Sequence, residues 1–569
     1  MSNFANENKI YEHNIINMNK IGFKNFRKFQ DFPTIDLGNI TILVGGNNAG
    51  KSTLVKAMLL MRDFLKSRVE RVEDTKKIFK TFIRPQFNFD TEHVNVGDFY
   101  RAFCRQSPRK EDTISFSMRI DKFCFIVNIR GERKPGVVPE VSMIAVSDEE
   151  RDITFTFDFS KSLMTAHFEY DRKALNNHVI NDRISLQNRK ETLHARLNEL
   201  EKQLSKSKDL GHITAIKAEI EKTRLGLREI ESELYRYDQD LYNSADYTNS
   251  EYDSVTIDMS FFLGDNTGKL IIPELIKGFA NYAEIGVIGD KRSITYRKEE
   301  ADKTFLRGKS GVIRTIAEEI EVLLNKQVIE YIYAHSVYQD SVYSKCANSS
   351  DYTKRTIHEF YNARISSGNE ELSISKDEEY KLLESWLKDF KIGESLKVIP
   401  YKGDNYSLVI FDKENPEIAS DKRKGYPGGI DLADKGMGAI QIVILLLRIV
   451  TLIRKYKGQQ LTILLEEPEQ NLHPAMQSRL AELLYSINKD FGVRFVVETH
   501  SEYLIRKTQV IVAGLDKSTD YMEIPFKVIY LPDNGENPYD MQYRPDGKFN
   551  KEFGSGFFDE AAKLAFKIF

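Results

Sequence analysis

A glycine-rich segment near the amino terminus has the residue types and spacing of a phosphate-binding loop. It follows an apolar run at positions 40–44 and reads Gly45-Gly46-Asn47-Asn48-Ala49-Gly50-Lys51-Ser52-Thr53. Backbone N–H groups of such a loop point at phosphates, the lysine supplies a positive charge and the serine offers a hydroxyl to Mg²⁺. A glycine-rich turn is the alternative, but the flanking apolar strand and helix-forming residues favour a phosphate site. The sequence therefore predicts nucleotide binding by Gly45, Asn48, Gly50, Lys51, Ser52 and Thr53.

A second apolar run, at positions 461–465, ends in the paired acids Glu466 and Glu467. Two carboxylates at the end of a buried strand repel each other unless a cation lies between them or beside them. The first can hold Mg²⁺, and the second can polarise the water that attacks a γ-phosphate. A solvated acidic turn is the alternative, and it requires that the strand emerge at the surface. With Lys51 in the same chain, we predict a metal role for Glu466 and a catalytic role for Glu467.

A third apolar run, at positions 495–497, ends in Glu498-Thr499-His500-Ser501. At a strand end beside a triphosphate, His500 could donate a hydrogen bond to the γ-phosphate and act as a switch. Alternatively, it could only cap the helix that begins at Ser501. Between the two acidic strands, a tight connection containing two prolines leads into a helix predicted over 475–487.

The segment Asp434-Lys435-Gly436-Met437-Gly438 stands immediately before a strongly apolar helix. Its backbone N–H groups and the helix N-terminus form a possible second anion site. Because Lys51 already marks one phosphate site, Gly436 and Gly438 suggest that two copies face each other and that each closes over the nucleotide of the other. A simple helix-starting turn is the alternative. The apolar run at 440–453 falls short of the ~20 residues that cross a bilayer, so we predict a buried helix.

Composition limits the class of protein. The 569 residues are too many for one ordinary core. Lys and Arg number 82 against 85 Asp and Glu, so the net charge of −3 provides no global attraction to nucleic acid. Cys104, Cys124 and Cys346 lack the spacing of a disulfide framework or a zinc site, and no secretory signal is visible. These features favour a cytoplasmic protein.

The remaining pattern indicates an α/β chain with insertions. Alternating apolar residues predict an antiparallel β-meander within 114–170, and a helix is predicted over 312–333. Between 183 and 241, apolar residues recur at heptad spacing without proline, which predicts a coiled-coil hairpin; two amphipathic helices packed on the body are the alternative. We predict four parts: an ATPase lobe at 1–180, the hairpin at 181–245, a mixed region at 246–425 and a second ATPase lobe at 426–569.

These motifs together resemble the SMC and RecF branch of the ABC ATPases. The resemblance is carried by Asn25-Phe26-Arg27, the 45–52 loop, the 434–438 segment, Glu466 to Pro474 and Glu498-Thr499-His500-Ser501. More narrowly, Glu-Glu-Pro-Glu, Leu-His-Pro and Glu-Thr-His-Ser resemble the overcoming-lysogenization-defect group and related ATPase subunits of bacterial anti-phage systems.

The resemblance implies an α/β ABC-type P-loop ATPase head, split into a β-rich first lobe and a second lobe by the inserted hairpin. It implies ATP and Mg²⁺ as cofactors, with Arg27 added to the nucleotide site. Ser52 and Glu466 would bind Mg²⁺, Glu467 would be the catalytic base and His500 would be the switch residue. Gly436 and Gly438 would reach the ATP of a partner head, and Asn471 and His473 would lie where two protomers meet. The 434–438 segment departs from the usual serine and paired glycines.

The sequence leaves three classes of function open. The first is a dimerising ATPase switch of anti-phage defence that controls a separately encoded toxin or nuclease, because we expect no nuclease domain in the 69 residues after His500. The second is a DNA-repair ATPase that clamps DNA when its heads close, and the lysines near the hairpin tip would contact the DNA. The third, a transporter subunit, requires a membrane partner, and the inserted hairpin argues against it.

Overall fold

The computed structural model describes most of the chain. The described residues are 18–69, 85–108, 110–168, 172–207, 210–247, 254–259, 268–287, 293–333, 343–344, 352–365, 378–401, 405–412, 429–515, 524–533, 536–554, 558 and 563. Two compact units are present: the first comprises 1–146, 157–163 and 258–569, and the second comprises 147–156 and 164–257. Cys346 lies outside the described residues.

Twenty strands are found in the described part of the chain. They are β1 (Met18–Phe26), β2 (Phe29–Asp36), β3 (Ile40–Gly45), β4 (Asp90–Thr91), β5 (Val94–Asn95), β6 (Thr113–Ile120), β7 (Phe123–Arg130), β8 (Glu140–Asp148), β9 (Ile153–Asp158), β10 (Leu163–Phe168), β11 (Ser254–Asp258), β12 (Gln327–Ile332), β13 (Tyr343–Ser344), β14 (Ser395–Tyr401), β15 (Asn405–Phe411), β16 (Gly429–Asp431), β17 (Gln460–Glu466), β18 (Arg494–Glu498), β19 (Phe526–Leu531) and β20 (Tyr539–Asp540).

Eleven α-helices accompany them over the same described ranges. They are α1 (Lys51–Leu65), α2 (Phe99–Ala102), α3 (Arg172–Lys206), α4 (Leu210–Tyr247), α5 (Ile271–Glu284), α6 (Ile294–Lys326), α7 (Tyr352–Ile365), α8 (Glu378–Asp389), α9 (Met437–Lys455), α10 (Pro474–Phe491) and α11 (Glu502–Ala513).

The sheet that positions the candidate site belongs to the first unit. Its order is β12-β17-β18-β3-β19-β20, and every pairing except that of β19 with β20 is parallel. Strand β3 is buried along its whole length, as expected for an inner strand of a sheet covered on both faces. Because parallel strands end at the same edge, Gly45, Glu466 and Glu498 finish β3, β17 and β18 close together. The predicted α/β class is confirmed.

The β-rich part of the first unit is an antiparallel sheet with the order β8-β7-β6-β1-β2. Strands β6 and β7 alternate strictly between buried and partly exposed residues, which is why the sequence pattern predicted them well. Buried phenylalanines fill the face of this sheet. Phe23 stacks on Phe32 with ring centroids 4.4 Å apart, and Phe26 meets Phe116 edge to face.

Helix α9 passes through the main core of the first unit. It is the one helix among the described residues that is long and apolar enough to cross a membrane by length and composition alone. Most of its residues from Ile440 to Leu452 are buried against β-strands and neighbouring helices, including Arg448, whose guanidinium pairs with Glu330 at 3.2 Å. The expectation of a buried helix here agrees with this packing.

The predicted helix over 312–333 is wrong in its last third. Helix α6 ends at Lys326, and residues 327–332 form β12, which pairs in parallel with β17. The apolar residues of the segment Val328-Ile329-Glu330-Tyr331-Ile332 are β-branched or aromatic, and such residues favour a strand once a neighbouring strand is present to pair with. Because the apolar periodicity of α6 continues into this segment, the sequence pattern does not mark the point where the helix ends and the strand begins.

The second unit contains most of strands β9, β10 and β11 and the two long helices α3 and α4. The helices pack on each other in antiparallel fashion, since ion pairs join Lys190 to Glu231 at 3.0 Å and Arg196 to Glu219 at 2.9 Å. Closer to the turn between the helices, Leu200 packs against Ile216 and Ile220. The apolar seam and its flanking ion pairs are those of an antiparallel coiled coil. The domain boundaries given above remain a prediction.

Candidate functional site

The loop that follows β3 has a backbone suited to close approach by a ligand. Gly50 has a φ of 109° and forms the N-cap of α1, and a Cβ at this position would lie 2.4 Å from the ring of Phe29. Asn48 also has a positive φ, of 65°, and its carbonyl accepts a hydrogen bond from Lys28 Nζ at 2.7 Å. Buried Thr53 begins the first helical turn by donating its backbone N–H to the Gly50 carbonyl at 3.0 Å.

Lys51 lies at the centre of the site and is buried. Its ammonium donates to the carbonyls of Gly45 and Gly46, each at 3.0 Å, and lies 3.0 Å from His500 Nε2. Burial lowers the pKa of Lys51, while surrounding carboxylates, Glu498 foremost, act in the opposite direction. The ammonium of Lys51 therefore lies within electrostatic reach of several acids.

His500 lies between Lys51 and Glu467. Its backbone N–H donates to Glu469 Oε1 at 2.7 Å, and its Nε2 lies 3.6 Å from Glu467 Oε1. Burial, followed by the charge of Lys51, lowers the pKa of His500, so the imidazole is neutral at pH 7. The capping role belongs to Ser501, whose side chain accepts a backbone N–H of α11. His500 is therefore free of the capping role.

Glu467 adopts a backbone conformation that non-glycine residues rarely occupy. Its φ is 39°, and its N–H donates to the Glu498 carbonyl at 2.8 Å, which fixes the turn after β17. The carboxylate accepts a hydrogen bond from Gln470 Nε2 at 2.5 Å. Backbone strain of this kind is concentrated at functional sites, where the surrounding structure maintains it.

The two strand-end acids Glu466 and Glu498 are register partners in the parallel sheet, but their side chains have different partners. Glu498 Oε1 accepts the hydroxyl of Ser52 at 2.8 Å, whereas Glu466 Oε2 accepts the phenol of Tyr331. Burial raises the pKa of Glu498 to about 7, against the effects of the Ser52 hydrogen bond and nearby Lys51. Sequence reasoning missed Glu498 and Tyr331 as site residues, although Glu498 ends β18 and Tyr331 lies one residue before the end of β12.

A further acid missed by sequence reasoning lies beside the loop. Asp533, just after β19, is exposed and rests against Gly46: a Cβ on that glycine would lie 1.9 Å from the Asp533 Oδ2 atom. Arg27, which the sequence placed in the nucleotide site, is half-buried. Burial lowers the pKa of Arg27. Burial, followed by the positive charge of Arg27, lowers the pKa of Lys56, while the charge of Glu466 acts in the opposite direction.

The 434–438 segment forms the N-terminus of α9, as predicted, with Gly436 at the N-cap. A Cβ on Gly438 would lie 2.8 Å from the Asn471 carbonyl, whereas one on Gly436 would meet nothing within 4 Å. Lys435 bonds the Ile392 carbonyl at 3.0 Å. The segment therefore rests on the loop that contains Asn471, and none of the contacts described here joins it to Lys51.

The loop after the acidic pair ends in an ordinary helix start. Asn471 has a positive φ of 59° and is exposed. His473 caps α10 by accepting the Ala475 N–H at 3.3 Å, with Pro474 in the first turn, as the sequence predicted for that proline.

The site has the donors that magnesium prefers. Ser52, Glu466 and Glu498 offer only oxygen atoms, and Glu498 Oε2 is buried without a hydrogen-bond partner among the described residues. No group of three or more His, Cys, Asp or Glu side chains in the described part of the chain could hold a metal ion by itself. These donors therefore fit Mg²⁺ that arrives with a nucleotide, whose phosphates complete the coordination.

Comparison with known proteins gives a family match over most of the chain. The profile of the AAA ATPase domain family matches residues 17–505. No curated protein matches the chain.

Solved structures similar to the chain include an Smc head domain with an extended coiled coil, bound to the C-terminal domain of ScpA, from Pyrococcus furiosus. It is 11% identical, with 97% of this chain and 98% of that chain covered and a TM-score of 0.29. An SmcHead bound to the C-winged helix domain of ScpA is 9% identical, with 92% and 97% covered and a TM-score of 0.30. An Smc head domain with a coiled coil and joint from Pyrococcus yayanosii is 11% identical, with 93% and 97% covered and a TM-score of 0.30.

Proposed function

Because this chain belongs to the AAA ATPase domain family, we propose that it binds ATP with Mg²⁺ at residues 45–53 and hydrolyses it with Glu467 and His500. The observation that carries the proposal is the convergence of three side chains. Lys51 Nζ lies 3.0 Å from His500 Nε2, and that same nitrogen lies 3.6 Å from Glu467 Oε1. A phosphate-binding lysine, a neutral imidazole and a carboxylate thus share one small volume at the edge of the sheet.

Lys51 recognises the triphosphate by exchanging partners. Its three present acceptors are the Gly45 and Gly46 carbonyls and the His500 ring. Phosphate oxygens are stronger acceptors because the hydrogen bonds are charge-assisted. The exchange releases the His500 ring, which then turns its N–H to the γ-phosphate.

Glu467 is the general base of the proposed reaction. One of its oxygens is held by Gln470 at 2.5 Å, and the other faces His500. This leaves the carboxylate oriented to accept a proton from an attacking water, the role expected in phosphoryl transfer. Ser52 and Glu466 would hold Mg²⁺, which neutralises charge that develops on the β and γ phosphates when it is bound.

We further propose that hydrolysis drives a homodimeric or higher-order switch in the cytoplasm, used in bacterial anti-phage defence to control a separately encoded toxin or nuclease. Two features support a second copy as the partner of the head. Gly436 faces open space at the N-terminus of α9, and neighbouring Met437 is 63% exposed. The motif set quoted above supports the defence role.

Size-exclusion chromatography with light scattering tests the proposal. We expect ATP to increase the mass of the Glu467→Gln variant, in which bound ATP persists, and to leave that of Lys51→Ala unchanged. Glu482→Gln, on α10 and paired with Lys507 at 2.6 Å, is a matched carboxamide control remote from the loop. An unchanged mass for Glu467→Gln would contradict the switch, and steeply salt-dependent DNA binding would favour a DNA clamp.

A further inference from the structure

Glu498 is the most deeply buried acid of the site. It ends β18, whose neighbours in the sheet are β3 and β17, and only 5% of the surface of this residue is exposed to solvent. Position alone therefore puts this carboxylate between the strand that leads to the phosphate loop and the strand that ends in the acidic pair. The proposed function assigns it no task.

One oxygen of Glu498 is used and the other is not. Oε1 accepts the Ser52 hydroxyl at 2.8 Å, while Oε2 is buried and has no hydrogen-bond partner in the described part of the chain. An unpartnered buried carboxylate oxygen is costly, because the lost hydration is not replaced. A cation that enters beside Ser52 would provide the missing interaction.

Glu466, the acid that the sequence favours for the metal, is engaged elsewhere. Its Oε2 accepts the hydrogen bond of the Tyr331 phenol, which belongs to β12. Of the two register partners, only Glu498 is joined to the serine hydroxyl that the phosphate-loop pattern offers to Mg²⁺.

We propose that Glu498 is a magnesium-side acid of the nucleotide site, and that it holds the ion or its water shell together with Ser52. This rests on the proposed function, because the remaining ligands are phosphate oxygens and water. Magnesium sites in nucleotide enzymes use one or two carboxylates in this way, and they need no protein cage of three acids. Glu466, whose Oε2 accepts the Tyr331 phenol, would be the second carboxylate of the site.

The test is a titration of a fluorescent ATP analogue into the full chain, once in EDTA and once in excess Mg²⁺. For the wild type, we expect Mg²⁺ to tighten binding. For Glu498→Gln, we expect binding in EDTA to be unchanged or tighter and the gain from Mg²⁺ to fall about tenfold, the effect typical of a lost metal partner. Glu498→Asp, which keeps the charge, should retain an intermediate gain.

Mn²⁺ electron paramagnetic resonance gives a second readout that does not depend on turnover. Glu498→Gln should raise the Mn²⁺ concentration for half-saturation in the presence of the ATP analogue about tenfold, and Glu482→Gln should not change it. A full Mg²⁺ gain and unchanged Mn²⁺ binding in Glu498→Gln would overturn the assignment. Failure of the wild type to bind the analogue in either buffer would instead overturn the proposed function, and the assignment with it.

Discussion

The ammonium of Lys51 and the ring Nε2 of His500 lie 3.0 Å apart although 449 positions separate the two residues in the chain. They meet because β3 and β18 are adjacent parallel strands, with Leu43 opposite Glu498. The phosphate loop follows one strand and His500 follows the other. A single strand pairing therefore assembles the centre of the candidate site from the two ends of the chain.

The contact predicts separate effects on binding and hydrolysis. His500→Ala should lower the rate of ATP hydrolysis about 100-fold, the scale of one lost hydrogen-bond donor to a developing charge. Nucleotide affinity should change less than about threefold, since Lys51 keeps its charge and its charge-assisted hydrogen bonds to the phosphates in the proposed complex. Steady-state hydrolysis and equilibrium nucleotide binding measure the two effects.

His194→Ala is the control for this prediction, because His194 is exposed on α3 in the other unit. It should leave both measurements unchanged. A His500→Ala variant that hydrolyses ATP at the wild-type rate would show that the imidazole has no part in the reaction.

The raised pKa of Glu498 predicts how stability varies with pH in the absence of metal. Its pKa is about 7 in the folded protein against an ordinary 4.5, so the stabilising contribution of the proton is present below 4.5 and is lost as the pH rises through 7. Relative to Glu498→Gln, the wild type should lose about 2 kcal/mol of unfolding free energy between pH 5.5 and 8.5. Urea unfolding in EDTA at both pH values measures it.

His500 acts in the opposite sense, which is why the variant must serve as reference. Its lowered pKa makes the folded protein less stable as the pH falls below about 6.5. That contribution is common to the wild type and Glu498→Gln, so it cancels in their difference. Equal pH dependence of the two proteins would show that the Glu498 carboxyl titrates normally.

The sequence predicted the elements of the site because each depends on a local pattern. An apolar strand that ends in a glycine-rich loop, or in paired acids, indicates a strand end wherever it lies in the fold. The partner of each side chain depends instead on strand order and register. Ser52 bonds Glu498 rather than Glu466 because β18 lies between β17 and β3, and no local pattern contains that order.

Tyr331 was missed for a related reason. The segment 327–332 continues the apolar spacing of α6, which predicts helix, although Tyr331-Ile332-Tyr333 also has the residue types of a strand end. Pairing with β17 makes the segment a strand. Once it is a strand, Tyr331 lies opposite Leu464, and its phenol reaches the carboxylate two residues further along.

The Tyr331 contact predicts a specific loss of stability. Tyr331→Phe removes the donor from the partly buried Glu466 carboxylate and should lower the unfolding free energy by about 1–3 kcal/mol. Tyr333→Phe, which loses a hydrogen bond to His93 on the same aromatic cluster, is the matched control and should cost less, because its partner is neutral. Urea unfolding compares them. A larger loss of unfolding free energy in Tyr333→Phe than in Tyr331→Phe would contradict the prediction that the hydrogen bond to Glu466 is the more stabilising of the two.

Asp533 predicts that one substitution tightens nucleotide binding. Its carboxylate rests against Gly46, where it would repel phosphate oxygens, so Asp533→Asn should raise ATP affinity about fivefold at low salt and less at high salt. Asp546→Asn, which removes an exposed acid paired with Arg544 at 2.8 Å, is the control. Weaker binding by Asp533→Asn in a fluorescence titration would mean that this carboxylate contributes to nucleotide binding.

The two glycines at the start of α9 differ in their surroundings, which predicts different consequences for the same substitution. Gly438→Ala would bring a Cβ to 2.8 Å from the Asn471 carbonyl, a backbone atom that cannot turn aside, and should cost about 1–3 kcal/mol of stability. Gly436→Ala meets nothing within 4 Å and should cost less than about 1 kcal/mol, the difference between glycine and alanine at an N-cap.

Thermal and urea unfolding measure the stability of the two glycine variants. The mass of each variant with and without ATP then shows whether the substitution also disturbs a contact between two copies of the chain. If a second copy closes over Gly436, then Gly436→Ala should keep its stability yet lose the ATP-dependent mass increase in the Glu467→Gln background. Equal stability losses in both glycine variants would contradict the close packing of Gly438. A full mass increase in Gly436→Ala would place the contact between copies on another surface.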